Sequence, residues 1–520
     1  MPQSIQVFSR LIVLLLVCLY CMQSHADQSA TKSAKTSDGW SQQETDESDI
    51  VIMTKQLVLH PAAEPQPALK YHLIPRGFDA MPGNAALYYL KAAGFLEQQG
   101  PRHSLSEFFS NAVKQAEAEG KTRDEMRPYV WLSTAPNDLP IDEVKAYLKF
   151  TNFQTGFLRE AASRRHFDLN RNLKLIDDDM FGYLLPEIQN FRELARNQSL
   201  RCRVAIAEGR VDDAIEILGQ LFAMARHIGS DDFLVSSLVG NSIASIAWND
   251  ALYLLQHAQA PNLYWAFAAM PTPLIDMEQA FDVEREFMHL QLKMLAEIDE
   301  TPRSAGYWKD FVDRLLPKLR SLEVEFNLPT GDPNAIRATI EKFILDAYPS
   351  AKKYLVDEQK LKPEQVEKYP TAQAVFLAMV RFLDRWRDEY YKWTTLPYWQ
   401  IRTNPAFVEL EKRMQTEAQS AGLFAKPVQS WSPSFSVAVK NAQAGCERNI
   451  AMLRTIEAIR MYAAAHDSEL PPSLEVLDVP AAVDPFTGNL LQYERKDDHA
   501  VLKGFPVPGM QHQLILRIAK

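Results

Sequence analysis

Apolar residues run through this chain in three rhythms. Residues 11–22 (LIVLLLVCLYCM) are almost continuously apolar, whereas residues 50–59 (IVIMTKQLVL) and 69–74 (LKYHLI) are β-branched and partly alternating, with the proline-rich 60–68 between them. From about Asn84 the spacing changes to that of an amphipathic helix and holds to about residue 425, with Gly and Pro as punctuation. The pattern predicts two short strands or extended segments within 50–75, then a long succession of helices. Residues 27–49, rich in Ser, Thr, Asp, Gln and Lys, bury too little apolar surface to offset ordering entropy and are expected to be a disordered linker.

Residues 191–228 carry the clearest helical signal. Phe191, Leu194, Ala195, Cys202, Ala205 and Ile206 share one face, Gly209 interrupts, and Val211, Ala214, Ile215, Leu218, Leu221, Phe222, Ala225 and Ile228 form a second. An antiparallel helix pair follows, and residues 205–214 resemble the inter-helix turn of a tetratricopeptide repeat, where small residues allow close packing and glycine ends the first helix. The match has no second copy at the repeat's spacing of about 34 residues, so it implies stacked helical hairpins and not a solenoid. Residues 234–255 are less polar than their neighbours, as expected of a central helix buried on several sides. Further helices are predicted at 104–120, where Ser104 and Glu107 fit a capping box, and at 275–298, 307–326, 334–347, 371–392 and 405–419. Beyond a Pro/Ser-containing break at 424–436, a last long helix reaches about His466. Residues 490–495 and 500–505 then flank a polar turn as a hairpin, and 513–518 supply a third strand. The expected fold is mainly α: helical hairpins over 50–430 with short N-terminal strands, then a long helix and a small antiparallel β-sheet over 431–520.

Composition narrows the class without naming an activity. Hydrophobic residues at 47% and charged residues at 23% suit a folded globular chain. The formal charge of −10 argues against nucleic acid as a partner. Arg10 ahead of the 11–22 run, with Ser24-His25-Ala26 after it, reads as an export signal cleaved after Ala26. The run falls short of the roughly 20 residues that span a bilayer, so no transmembrane segment is expected in the mature chain, which would be periplasmic or secreted. Cys18 and Cys21 leave with the signal. Cys202 and Cys446 remain on apolar stripes, as small buried hydrophobes and not a disulfide framework.

Two resemblances add context. Residues 57–86, including Pro82-Gly83-Asn84-Ala85-Ala86, and residues 263–271 (LYWAFAAMP) resemble a group of uncharacterised exported proteins of planctomycete bacteria, which implies export and helicity but no activity. Glu469-Leu470-Pro471-Pro472, the run Asp484 to Asn489, and Tyr493 resemble the soluble tail of type II secretion pseudopilins. No cofactor is expected; that resemblance leaves calcium as the one candidate, with Asp484 as the position that would ligate it, set against a plain turn, and it does not imply filament assembly, because the prepilin motif and assembly helix are missing.

The chain contains no HExxH, GxSxG, P-loop, GxGxxG or paired CxxC motif. Asp177-Asp178-Asp179 reads as a helix cap. Arg164, Arg165, His166, Arg171 and Lys174 read as a solvated basic face. The most distinctive stretch is 381–399, where Phe382, Trp386, Tyr390 and Trp393 recur at helical spacing and are edged by Arg385, Arg387 and Lys392. Such a stripe either stacks a sugar or amphipathic ligand or docks into a core. The leading reading is a non-catalytic binding or scaffolding protein of the bacterial cell envelope, whose partner is a protein or envelope component. An envelope enzyme acting on a glycan or lipid near Trp386, or a secretion-apparatus component, stand as alternatives.

Overall fold

The computed structural model describes residues 38–44, 50–95, 101–122, 125–176, 180, 183, 185–320, 333–429, 434–507 and 509–519. The expected signal segment and Asp177–Asp179 lie outside them. The fold is mainly helical, with strands near both termini. The chain forms two compact units, a larger one of residues 38–170, 185–280 and 441–519 and a smaller one of 171–183 and 281–440. The single helical domain expected over 50–430 is therefore divided, because the residues before 281 share their core with those after 440.

The larger unit begins with strands β1 (Trp40–Glu44), β2 (Ile50–Leu59) and β3 (Met81–Asn84). Helices α1 (Ala86–Ala92), α2 (Pro101–Ala118), α3 (Tyr129–Leu132), α4 (Ile141–Phe150) and α5 (Gln154–Ala162) follow, and β4 (Arg164–His166) pairs in parallel with β3. The expected helical hairpin is present as α6 (Pro186–Ala207) and α7 (Val211–Gly229). Gly209, at φ 71°, closes α6: Arg210 N–H reaches the Ala205 carbonyl at 2.8 Å, satisfying a carbonyl that the helix end would otherwise leave free. The central helix α8 (Leu234–Leu254) is buried on nearly every side, as its uniform apolarity predicts. It crosses α7 so closely that a Cβ on Gly240 would lie 2.5 Å from the Gly229 Cα and 2.7 Å from the Ala225 carbonyl oxygen.

The smaller unit is built from α9 (Glu278–Gln291), α10 (Ala305–Arg320), α11 (Pro333–Asp357), α12 (Thr371–Tyr391) and α13 (Leu410–Ala421). Its core gathers Trp308, Phe311, Phe376, Phe382, Trp386 and Phe424. Trp308 donates its indole N–H to Gln373 at 3.2 Å, and the Gln373 amide donates in turn to the Thr301 carbonyl at 2.8 Å, so this edge of the core is paired.

The long helix α14 (Ser434–Ala465) leads to β5 (Gln492–Arg495), β6 (Ala500–Lys503) and β7 (Gly509–Ile518). These three strands pair antiparallel, but β7 also pairs in parallel with β2 across the full length of both, and the sheet order is β1-β2-β7-β6-β5. The expected small antiparallel sheet is therefore a five-stranded mixed one, and the N-terminal strands belong to it. Of the linker expected over 27–49 only residues 38–44 are described, and there Trp40–Glu44 is a strand instead: Trp40 is buried against Trp248 and His512, with ring centroids 5.4 and 5.1 Å away, and one such indole anchors an otherwise polar strand. Residues 69–74 are not a strand, because both edges of β2 are already taken; Leu73 and Ile74 plug into the core against α7 instead. Buried ion pairs fasten this unit: Arg203 with Asp250 at 2.8 Å, Arg448 with Asp484 at 3.1 Å, and Arg460 with Glu457 at 2.9 Å. Cys202 and Cys446 are both free and buried.

Candidate functional site

A cleft of about 540 Å³ opens in the larger unit, lined by Phe109, Val113, Ala116, Glu117, Lys121, Met126, Tyr129 and Glu193. Four of these lie on α2 at positions i, i+4, i+7 and i+8, so a single helix face forms one wall. Gly120, at φ 66°, ends that helix, and the Lys121 N–H returns to the Ala116 carbonyl at 2.9 Å, which carries Lys121 to the rim. Glu125 fixes the next turn by accepting from the Thr122 N–H at 2.8 Å and its hydroxyl at 2.9 Å, and both bonds hold its carboxyl below the usual range. Met126 and Tyr129 follow from that turn, and Glu193 comes from α6.

Behind the cleft lies a core of Trp131, Leu139, Val144, Tyr147, Leu200 and Val204, with Phe108 packed against it. The Phe109 ring sits 6.3 Å from Tyr129 and 6.5 Å from Tyr147. Glu193 accepts from Arg196 at 2.5 Å and from the Tyr129 hydroxyl at 3.4 Å, and the Arg196 guanidinium lies 5.3 Å from the Tyr129 ring centroid. Lys121 is paired with Glu119 at 2.5 Å. Glu117 is exposed, and its carboxylate makes no hydrogen bond or ion pair among the described residues. The arrangement is an apolar slot with one free carboxylate at its edge, suited to an apolar group that carries a cation or hydrogen-bond donor.

The aromatic stripe expected to hold a ligand lies elsewhere, on and just beyond α12. Phe382, Trp386 and Tyr390 are buried, Trp386 with no exposed surface, and Trp393 is half-buried. Phe382 packs 5.9 Å from Tyr354 and 6.1 Å from Phe424, and Trp393 packs 5.7 Å from Phe407. The Arg385 and Arg413 guanidiniums lie 5.6 and 5.9 Å from the Trp386 ring centroid. The Phe382, Trp386 and Tyr390 faces meet protein and not solvent, which corrects the ligand-platform expectation for them: helical spacing defines a stripe, and here neighbouring segments cover most of it. Burial leaves the Trp386 and Trp393 indole nitrogens and the Tyr390 hydroxyl without partners among the described residues, and pushes Tyr390 up to about 12.

Asp484 is likewise committed to the protein. One carboxylate oxygen accepts from Arg448 at 3.1 Å and the Phe486 N–H at 2.9 Å, and the other from the Phe505 N–H at 2.7 Å. Its carbonyl accepts from Thr487 and Gly488, which closes the turn. This geometry makes Asp484 a turn anchor, its carboxylate engaged by Arg448 and two backbone N–H groups. Among the described residues no three His, Cys, Asp or Glu side chains gather as a metal's ligands. The buried histidines are structural too. His227 donates from Nε2 to the Arg164 carbonyl at 3.0 Å and accepts at Nδ1 from Tyr89 at 3.1 Å, and burial lowers it to about 4, so it stays neutral.

The cleft residues were not singled out by sequence. Their one signal is Val113, an apolar residue left exposed on an amphipathic helix. The fold and site together are a mainly α architecture with a mixed sheet and an open, largely apolar cleft. Comparison with protein-family models, curated proteins and solved structures finds no match to this chain.

Proposed function

We propose that this chain is an exported, non-catalytic binding protein of the bacterial cell envelope, and that the cleft beside α2 receives an apolar side chain or short apolar segment of a partner protein. The observation that carries this reading is the lining itself: Phe109, Val113, Ala116, Met126 and Tyr129 form an apolar slot, and Glu117 supplies a free carboxylate at its edge. Its volume lies within the roughly 300–1,000 Å³ of ordinary ligand sites, and the apolar-centre, polar-rim arrangement is that of a protein interface. A Lys or Arg next to the partner's apolar residue would meet Glu117. Export rests on Arg10 and the apolar run at 11–22.

The test is a thermal-shift titration of the full chain with short peptides that combine Leu or Phe with Lys. A peptide at 100 times its dissociation constant stabilises the chain by about 2.7 kcal/mol, a shift of a few degrees in melting temperature. Ala116→Phe, which fills the slot, should abolish the shift while leaving circular dichroism unchanged. A shift that survives Ala116→Phe would place binding elsewhere.

A further inference from the structure

The basic pair Arg164 and Arg165 has a use that charge alone does not suggest. Arg165 donates from Nε to the Ala80 carbonyl at 2.7 Å and from Nη2 to the Gly77 carbonyl at 2.6 Å. Arg164 donates from Nη1 to the Pro82 carbonyl at 2.9 Å and is itself held by Glu160 at 2.7 Å and the Tyr88 hydroxyl at 2.9 Å. The Met81 N–H bonds the Ser163 carbonyl at 2.7 Å. On the other side, buried Leu73 and Ile74 root the segment against α7, where a Cβ on Gly219 would lie 2.5 Å from the Leu73 carbonyl oxygen. The turn so clamped runs from Arg76 to Asp79, closed by the Asp79 N–H on the Arg76 carbonyl at 3.0 Å, with Gly77 at φ 56°.

At the tip of this fixed turn is Phe78, whose side chain is wholly exposed at 105%. Nothing in the clamp covers the ring; its bonds fix the backbone on either side of it. Met81 and Leu87, on the segment that follows, are also exposed. The Arg76 side chain is exposed and has no hydrogen-bond or ion-pair partner among the described residues, while Asp79 is the one acidic side chain within the turn. A protein-binding hot spot sits in a packed pocket ringed by other contacts, whereas a projecting apolar ring followed by exposed Met81 and Leu87, beside an unpaired guanidinium, matches the interfacial zone of a bilayer. There the ring takes the interfacial depth and the guanidinium meets phosphate.

We propose that the clamped turn Arg76–Asp79 is a lipid-surface anchor, with Phe78 entering the interface of an anionic bilayer and Arg76 pairing with its phosphates. It does not depend on the cleft, so either reading can fail alone. The test is flotation of the full chain with phosphatidylcholine–phosphatidylglycerol vesicles, comparing wild type with Phe78→Ser and Arg165→Ala. Any contribution of the apolar run at 11–22 is common to all three. Phe78→Ser, at a fully exposed position, should melt as wild type yet lose about tenfold in vesicle partitioning, and Arg165→Ala should lose part of it by freeing the turn. In Phe78→Trp, brominated lipids should quench and vesicles should blue-shift emission beyond the background of the native tryptophans. Equal flotation of wild type and Phe78→Ser, no flotation of either, or an introduced indole whose emission responds to a protein but not to vesicles would overturn the assignment.

Discussion

Glu457 and Arg460 sit one turn apart on α14 with neither side chain exposed, and the guanidinium also donates to the His60 carbonyl at 2.9 Å and the Ala260 carbonyl at 2.8 Å. Arg460 thereby ties the segment after β2 and the loop before residue 264 to one helix. Glu457→Leu leaves that charge buried without its counter-ion and should cost about 3–5 kcal/mol in urea unfolding, with part of the loss recovered by pairing it with Arg460→Met. Glu447, on the same helix, accepts the Leu274 N–H at 2.7 Å, and burial pushes it up from 4.5 to about 7. The folded state keeps this proton where the unfolded chain has released it. Its stabilising contribution is therefore complete below about pH 4.5 and lost as pH rises through about 7. Glu447→Gln should flatten the change in urea midpoint between about pH 5 and about pH 8; an unchanged slope would place the titration elsewhere.

Among elements, the α7–α8 crossing is a close contact that a single atom can test. Gly240→Ala puts a methyl group against the Gly229 Cα and the Ala225 carbonyl, so the helices must part, and a loss of about 1–3 kcal/mol is expected in chemical denaturation. Much at this scale was legible in sequence. The α6–α7 hairpin, the all-round apolarity of α8, the long α14 and the β5–β6 hairpin follow from periodicity and turn chemistry, which are local signals. The linker expectation failed at Trp40 because one indole outweighs its polar neighbours once Trp248 and His512 are beside it, and that proximity is not local. The same limit applies to the stripe at Trp386. Spacing fixes which face a residue occupies, but only the fold decides what covers the face. For the cleft, the sequence offered α2 and its amphipathic pattern, while Met126, Tyr129 and Glu193 reach it from other segments.

Across the whole chain, β2 and β7 pair over ten residues although they stand at opposite ends of the sequence. The sheet of the larger unit cannot close until both ends are present, so the two segments should gain and lose protection together. Leu514, fully buried on β7, is the place to test this. Leu514→Asp should speed amide exchange in residues 50–59 as much as in 500–503, as measured by mass spectrometry. Faster exchange confined to 500–518 would show that the N-terminal strand holds on its own.

The central claim, that the slot beside α2 is where this protein binds, is tested most directly by hydrogen exchange of the full chain with and without a saturating Leu/Phe–Lys peptide. Protection should rise at residues 109–121 and 126–129 and nowhere comparably in residues 371–393, and Ala116→Phe should erase the difference. Protection that appears around Trp386 and persists in Ala116→Phe would contradict the account and return the aromatic stripe to the role of binding site.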